Sequence, residues 1–131
     1  MTPEALIKKA RDLIYKRYQK ENHHSVVAAA LVTKAGKVYV TLNAGTNQPS
    51  IATCAEIIAI GMANTEDPHM EIDMIVAVRD KEAYVIAPCG KCREYITDYG
   101  PDARVIVPAS NPKGYEVVAA ADLLPNKYRK K

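Results

Sequence analysis

The fold is decided by residues 74–92, which read MIVAVRDKEAYVIAPCGKC. The run of residues 74–78 is apolar without the polar alternation of a half-exposed strand, which indicates a strand buried on both faces. A sheet built from such strands needs helices on either side, so an α/β architecture is expected. The stretch continues through a short strand at residues 83–86 and ends in two cysteines.

Other strands are expected on both sides of this stretch. Residues 25–33 and 37–43 are rich in β-forming side chains, and the short turn between them contains Gly36, as in a hairpin. Residues 104–108 predict a further strand, and residues 109–115 an exposed loop. With the helices described below, these strands predict an alternation of strands and helices along most of the chain.

The N-terminal segment predicts an amphipathic helix. Thr2 is suited to the N-cap and Pro3 to the first helical position. Apolar residues then recur at helical spacing as far as Tyr18, while lysines fall mostly on the opposite side. One face of this helix is expected to pack on the domain, and the basic face to be solvated.

Two further helices begin at cysteines. The segment after Cys54 is apolar nearly all round apart from Glu56, so we expect burial on all sides, either centrally or against a partner chain. The last helix begins near Cys89 and directs Cys92 toward the core. Because a helix N-terminus carries partial positive charge, both positions favour an anionic sulfur.

Composition limits the classes of function. The chain has 131 residues, of which 48% are apolar and 25% charged, and we expect one globular domain over residues 1–131. No apolar run approaches the roughly 18 residues of a membrane span, and we expect no signal peptide. A cytoplasmic protein without membrane contact is the expectation.

The net charge of +3 comes from the C-terminal tail, residues 127–131, which carries four basic side chains. In the remainder of the chain, acidic residues slightly outnumber basic ones. A nucleic-acid groove normally needs basic residues clustered on the folded body. We therefore expect a frayed, solvated tail and no nucleic-acid polymer as partner.

All three cysteines belong to one pattern. Cys54 opens a Cys-Ala-Glu triplet, and Cys89 and Cys92 lie in a Pro-Cys-Gly-Lys-Cys segment. Three thiolates beside a carboxylate that is not needed as a ligand describe a catalytic zinc site with one position open for water. Glu56 falls about 200° around the helix from Cys54, so we expect it to transfer protons in a hydrolytic deamination rather than to bind metal.

A structural zinc site is the competing interpretation. A histidine would complete the three cysteines, as in a small zinc-stabilised binding domain without catalysis. His23, His24 and His69 are the candidate fourth ligands. This interpretation leaves Glu56 unexplained, because burying a carboxylate without a partner is costly.

At these residues the chain resembles the cytidine deaminase superfamily, and within it the blasticidin-S deaminases. The likeness covers nearly the full length and includes the first two strands, both cysteine segments and the Leu-Leu-Pro of residues 123–125. It implies a three-layer α/β/α sandwich with a five-stranded mixed sheet. It also implies one zinc ion per chain and a homotetramer with active sites near subunit contacts.

The resemblance also implies residue roles around the metal. Zinc is expected on Cys54, Cys89 and Cys92, with Glu56 as the catalytic proton shuttle. Arg93 corresponds to an arginine that supports the zinc thiolates without binding the metal.

Departures from ordinary cytidine deaminases bear on the substrate. Those enzymes carry Asn-x-Glu on the second strand, whereas here Asn43 is followed by Ala-Gly, and Ser25 stands where they have a Phe. Asn43, Ser25 and Ala55 are the expected substrate contacts. The expected substrate is a modified cytosine nucleoside such as blasticidin S, ahead of cytidine or deoxycytidine. Polymer editing ranks third, since editing relatives usually have His in place of Cys54.

Overall fold

The computed structural model describes residues 1–18 and 26–130. Among these residues, no helix combines the length and the hydropathy that crossing a membrane requires. The described residues form three α-helices and six strands. In order they are α1 (Pro3–Arg17), β1 (Val27–Thr33), β2 (Val38–Leu42), α2 (Ala55–Glu66), β3 (Ile72–Arg79), β4 (Tyr84–Ile86), α3 (Gly90–Tyr99), β5 (Arg104–Pro108) and β6 (Tyr115–Ala119).

The six strands form one mixed sheet in the order β2-β1-β3-β5-β6, with β4 paired to β3 beside this path. The β3–β5 pair is parallel and the other pairs are antiparallel. Helix α1 packs on one face, and α2 and α3 pack on the other. The α/β/α class and the hairpin between β1 and β2 are confirmed, with Gly36 in the turn at a φ of 88°.

The predicted count of five strands is wrong. The sixth strand, β6, pairs antiparallel with β5 from Tyr115 to Ala119. It lies at the sheet edge with no fully buried residue, so its sequence lacks the apolar run that marks the inner strands. The loop predicted at residues 109–115 therefore ends one residue early, and Gly114, at a φ of 81°, closes the turn into β6.

Two cores lie on opposite faces of the sheet. Side chains of successive strand residues point to opposite faces, so neighbouring residues of β1 and β3 enter different cores. The core under α1 contains Leu6, Ile14, Ala30 and Val76. The core under α2 and α3 contains Leu31, Ile60, Ile75 and Ile96.

Helix α1 begins as predicted. The Thr2 side chain accepts a hydrogen bond from the backbone N–H of Ala5 at 3.1 Å, and Pro3 takes the first position. A Thr N-cap satisfies one of the backbone donors that a helix N-terminus leaves free. The helix then lays its apolar side on the sheet, with Leu6 and Ile14 fully buried.

Within the protomer α2 is buried on one side, so central burial on all sides is not observed, and burial against a partner chain stays a prediction. The buried side of the helix includes Ala55, Glu56 and Ile60. Met62, on the opposite side, is 48% exposed. The apolar sequence of α2 thus covers the sheet with one face and presents the other at the protomer surface.

The start of the C-terminal tail is docked rather than frayed. The Lys127 side chain is only 8% exposed, and its ammonium donates to Thr97 Oγ1 at 2.7 Å and to Asp98. Glu94 lies 3.6 Å away. Both carboxylates are on α3, so a basic residue that the sequence assigns to solvent has acidic partners in the fold. Residues 128–130 are exposed.

Candidate active site

The N-termini of α2 and α3 carry the three cysteines to one place. Cys54 is the N-cap of α2 and Cys89 the N-cap of α3, and Cys92 lies in the first turn of α3. Neither N-cap cysteine makes a side-chain capping hydrogen bond, so neither sulfur is engaged by the start of its own helix. The three Sγ atoms lie within 4.8 Å of one another, and those of Cys54 and Cys89 are 3.7 Å apart.

This sulfur arrangement fits zinc. A tetrahedral ion with Zn–S bonds of about 2.3 Å places its sulfur ligands about 3.8 Å apart, close to the observed spacing. Within residues 1–18 and 26–130, the cluster contains these three cysteines and no His, Asp or Glu. Three protein ligands with an open fourth position are typical of catalytic zinc. His69 is not in the cluster, and His23 and His24 lie outside the described residues.

The pKa values of the three thiols differ because the thiols differ in burial and in hydrogen bonding. Burial raises the pKa of Cys92, and the nearby charge of Glu56 raises it further. Burial also raises the pKa of Cys54. At Cys89 burial acts in the same direction, but hydrogen bonds with Cys92 and Cys54 outweigh it and the pKa is lowered. A bound dication favours the thiolate form of all three.

Glu56 is a buried carboxyl group at the same place. It lies in the first turn of α2, 4% exposed, and lines the cavity that Cys54 and Cys89 also line. Burial raises its pKa, opposed by hydrogen bonds from its own backbone N–H and from Cys92. A carboxyl group whose pKa is raised above its ordinary value is suited to accept and return a proton.

Strand β2 holds the first turn of α2 in position. The Thr41 hydroxyl is buried and donates to the carbonyl oxygen of Ala55 at 2.7 Å. Ala55 lies between Cys54 and Glu56 in sequence, so this bond fixes the backbone that carries both. Ala55 also lines the cavity.

Asn43 follows β2 and lines the same cavity. Its backbone N–H donates to the Val27 carbonyl at 2.9 Å, and its Oδ1 accepts the Val27 N–H at 3.0 Å. This pair of bonds fixes both the backbone and the amide of Asn43 against β1. Ser25, the other expected substrate contact, lies outside the described residues.

Arg93 contacts backbone carbonyls on two sides. Its Nε donates to the Pro88 carbonyl at 2.9 Å, and a terminal nitrogen donates to the Leu123 carbonyl at 3.1 Å. Pro88 immediately precedes Cys89, so Arg93 fixes the segment that delivers this thiol. The described contacts act through the backbone and do not reach the sulfur atoms.

The cavity has a volume of about 330 Å³ and gathers five of the predicted site residues. Arg79, the last residue of β3, also lines it and is absent from the sequence prediction. No sequence motif marks an arginine at the end of an apolar strand as a site residue. The register of β3 against β1, which places Arg79 opposite Val27, is the signal that identifies it. Two predicted residues, Cys92 and Arg93, do not line the cavity, and Cys92 is fully buried. Ser25 lies outside the described residues.

Similarity to known proteins agrees with this geometry. Residues 1–108 match the cytidine and deoxycytidylate deaminase zinc-binding region. The chain is 37% identical over 109 residues to a blasticidin-S deaminase of Bacillus cereus, covering 78% of this chain and 76% of that protein. It is 33% identical over 124 residues to a cytidine deaminase of Sporosarcina psychrophila, covering 94% and 86%.

The fold has solved counterparts. The cytidine deaminase of Burkholderia pseudomallei superposes with a TM-score of 0.78 at 31% identity, covering 98% of this chain and 100% of that one. That of Mycobacterium leprae gives a TM-score of 0.76 at 24% identity, covering 96% and 99%. With its three-cysteine candidate metal site, the chain belongs to the cytidine and deoxycytidylate deaminase family of zinc-binding hydrolytic deaminases.

Proposed function

We propose that this protein hydrolytically deaminates a small cytosine-bearing nucleoside, with a modified nucleoside such as blasticidin S ahead of cytidine. The observation that carries the proposal is the meeting of three Sγ atoms within 4.8 Å and a buried carboxyl group beside one cavity. A purely structural zinc site has no use for a buried Glu at the cavity wall.

Cys54, Cys89 and Cys92 would hold the zinc ion. When bound, zinc supplies Lewis-acid activation of water at neutral pH, which makes water a competent nucleophile. Arg93 does not bind the metal in this proposal. Its hydrogen bond to the Pro88 carbonyl fixes the backbone that leads into Cys89. Such outer contacts orient ligands without binding the metal.

Glu56 is the proposed proton shuttle. Its carboxylate takes a proton from the attacking water and delivers it to the ring nitrogen beside the reacting carbon. It then moves the second proton, from the hydroxyl now on that carbon, to the exocyclic amino group, which leaves as ammonia as the hydroxyl becomes an oxo group. The raised pKa of the buried carboxyl suits both directions of transfer.

The cavity wall positions the nucleoside. Asn43 is fixed by two hydrogen bonds to Val27, and in this proposal its side chain contacts the substrate. Ala55 offers a small surface at the start of α2, and its backbone is held by Thr41. We retain Ser25 as a third contact on the strength of the sequence resemblance.

Two considerations order the substrates. The chain is 37% identical to a blasticidin-S deaminase, and Asn43 lacks the downstream Glu with which ordinary cytidine deaminases hold ribose. A charged hydrogen bond of that kind is worth about 1.5–3 kcal/mol, which lowers the expected turnover of unmodified cytidine. Cytidine or deoxycytidine remains the second candidate, favoured by the 94% coverage in the match to a cytidine deaminase.

Assembly and location complete the proposal. Helix α2 presents apolar side chains at the surface, including Met62 at 48% exposure, which suits a homotetramer that covers this face. Three cysteines devoted to one metal suit a reducing compartment, and we propose the cytoplasm. The small substrate requires neither a nucleic-acid polymer nor a membrane as partner.

The proposal is tested by ammonia release and loss of absorbance from zinc-loaded protein with blasticidin S, cytidine, deoxycytidine and cytosine in parallel. We expect blasticidin S to have the highest kcat/KM, at least about 10-fold above cytidine. Cytidine or deoxycytidine in first place would instead support the pyrimidine-nucleoside alternative. No turnover of any of the four, with one zinc per chain still bound, would favour a non-catalytic zinc-stabilised domain.

A further inference from the structure

We infer that Arg79 is a specificity-determining residue that binds an anionic group, phosphate or carboxylate, carried on the sugar side of the substrate. The inference rests on the proposed deamination, because it assigns a substrate class to the same cavity. It concerns selection among cytosine nucleosides and leaves the proton transfer by Glu56 as described.

The strand register places Arg79 on the catalytic face. In β1, Val27 lies opposite Arg79 of β3 and is hydrogen-bonded on its other side to Asn43. Residues directly opposite in neighbouring strands share a face of the sheet. Asn43 and Arg79 therefore flank Val27 on the face that carries α2 and α3, about 10 Å apart across two strand spacings.

Both flanking residues line the cavity of about 330 Å³ that Glu56 and Cys54 line. Among the described residues of this wall, Arg79 is the one cation, while the other ionisable groups are Glu56 and the thiols. Asn43 takes the place of the Asn with which ordinary cytidine deaminases hold ribose, so an anionic substituent of the sugar is the substrate group expected at Arg79.

The guanidinium of Arg79 retains donors for a ligand. Its side chain is 53% exposed, and its ion pair runs from Nε to Asp80 Oδ1 at 3.7 Å, too long for a hydrogen bond. Asp80 already accepts a hydrogen bond from the Tyr84 hydroxyl at 3.0 Å. The Arg79 side chain donates no hydrogen bond to any residue in 1–18 or 26–130. An arginine fork with free donors matches a carboxylate or phosphate in two-point contact.

Arg104 provides a matched control. It is also an arginine at a strand end, with its side chain 47% exposed, but it donates to Asp73 at 3.2 Å and is not part of the cavity wall. Arg79→Gln and Arg104→Gln remove the same charge from the protein, so a difference between them reflects the position and not the net charge.

The experiment measures kcat/KM for two pairs of compounds with the wild-type protein and both variants. The phosphate pair is deoxycytidylate and deoxycytidine. The carboxylate pair is cytidine with its 5′-carbon oxidised to a carboxylate, and the methyl ester of that compound. We expect wild-type protein to prefer the charged member of at least one pair, which identifies the anion. Arg79→Gln should reduce that preference about 10- to 100-fold, and Arg104→Gln should leave it within about twofold.

Calorimetric binding of deoxyuridylate and deoxyuridine, and of the deaminated carboxylate and its ester, gives a readout independent of turnover. A preference for the charged ligand that Arg79→Gln abolishes would support the inference even if no compound is deaminated, in which case the proposed function alone fails. The inference is overturned if wild-type protein prefers the charged member of neither pair. It is equally overturned if Arg79→Gln preserves the preference.

Discussion

The two faces of the sheet are built by alternate residues of the same strands, yet they differ in chemistry. Among the described residues, the fully buried side chains under α1 are apolar, as at Leu6, Ile14 and Val76. On the α2 and α3 side, buried Glu56 and Thr41 lie beside three cysteines at the helix N-termini. One face stabilises the fold, and the other positions reactive groups.

The orientation of the helices explains this difference. Helix α1 lies along its face with an apolar stripe and fills the space above the strands. Helices α2 and α3 direct their N-termini into a common space near the ends of β1, β2 and β3, where the cavity remains. Substitutions on the two faces should therefore separate stability from metal binding and catalysis.

The largest expected effect is on metal binding. Cys89→Ser removes one thiolate from an exposed position and should lower zinc affinity by more than about 100-fold, since even outer-shell partners contribute about 10- to 100-fold. Deaminase activity should fall in parallel. Zinc per chain after dialysis against a weak chelator measures the loss, and full retention of one zinc would remove Cys89 from the metal site.

On the apolar face, Ile14→Ala should cost about 2–5 kcal/mol in the free energy of unfolding, because it opens a cavity in a fully buried core. Tyr15→Ala, its neighbour at 59% exposure, should cost less than about 0.5 kcal/mol. Urea titration measures both. The folded Ile14→Ala protein should keep its zinc, and a loss of zinc before unfolding would contradict the separation of the two faces.

Thr41→Val tests a residue that contributes both to stability and to the position of the site residues. It removes the buried hydrogen bond to the Ala55 carbonyl and should cost about 1–3 kcal/mol in unfolding free energy. Because that carbonyl lies between Cys54 and Glu56, kcat/KM should also fall. Thr65→Val, which removes an exposed bond to Gly61 at the same 2.7 Å distance, is the control. Equal effects of the two substitutions on kcat/KM would show that Thr41 does not position the site.

The smallest expected effect concerns Tyr39 and Glu66. The Tyr39 hydroxyl donates to the Glu66 carboxylate, which lowers the pKa of Glu66 below 4.5 and raises that of Tyr39 to about 12. The bond therefore stabilises the fold at pH values between the pKa of Glu66 and the pKa of Tyr39. Its contribution is lost as pH falls through the lowered pKa of Glu66, or rises through about 12.

Tyr39→Phe should accordingly lower the melting temperature slightly at neutral pH, and the difference from wild type should shrink in acid. Thermal melts at neutral pH and well below pH 4.5 measure this. A difference that grows in acid would mean that Tyr39 stabilises the fold by another route.

The sequence predicts the parts of the fold that have strong local signals. Residues 74–78 form an inner strand because they are apolar on both faces, and Thr2 caps α1 because its hydroxyl satisfies a helix donor. Edge strand β6 has no such signal, since nothing buries its side chains fully. The sequence assigns Lys127 to a solvated tail, whereas the fold places Glu94 and Asp98 beside its ammonium group.

The candidate site divides in the same way. Cys54, Cys89 and Cys92 are predictable because metal binding restricts residue type and spacing together. Arg79 is not predictable in this way, because its position in the cavity depends on the register of β3 against β1. Its partner in β1, Val27, is over 50 residues away in sequence. Contacts between distant strands are fixed by tertiary packing rather than by local pattern.

The central claim is that Glu56 transfers protons and does not hold the metal. The most direct test measures zinc content and deamination of blasticidin S and cytidine for wild type, Glu56→Gln and Glu66→Gln, a control at the far end of α2. We predict one zinc per chain in all three proteins, and a kcat at least about 100-fold lower in Glu56→Gln alone. Loss of zinc in Glu56→Gln, or activity equal to that of Glu66→Gln, would contradict the account.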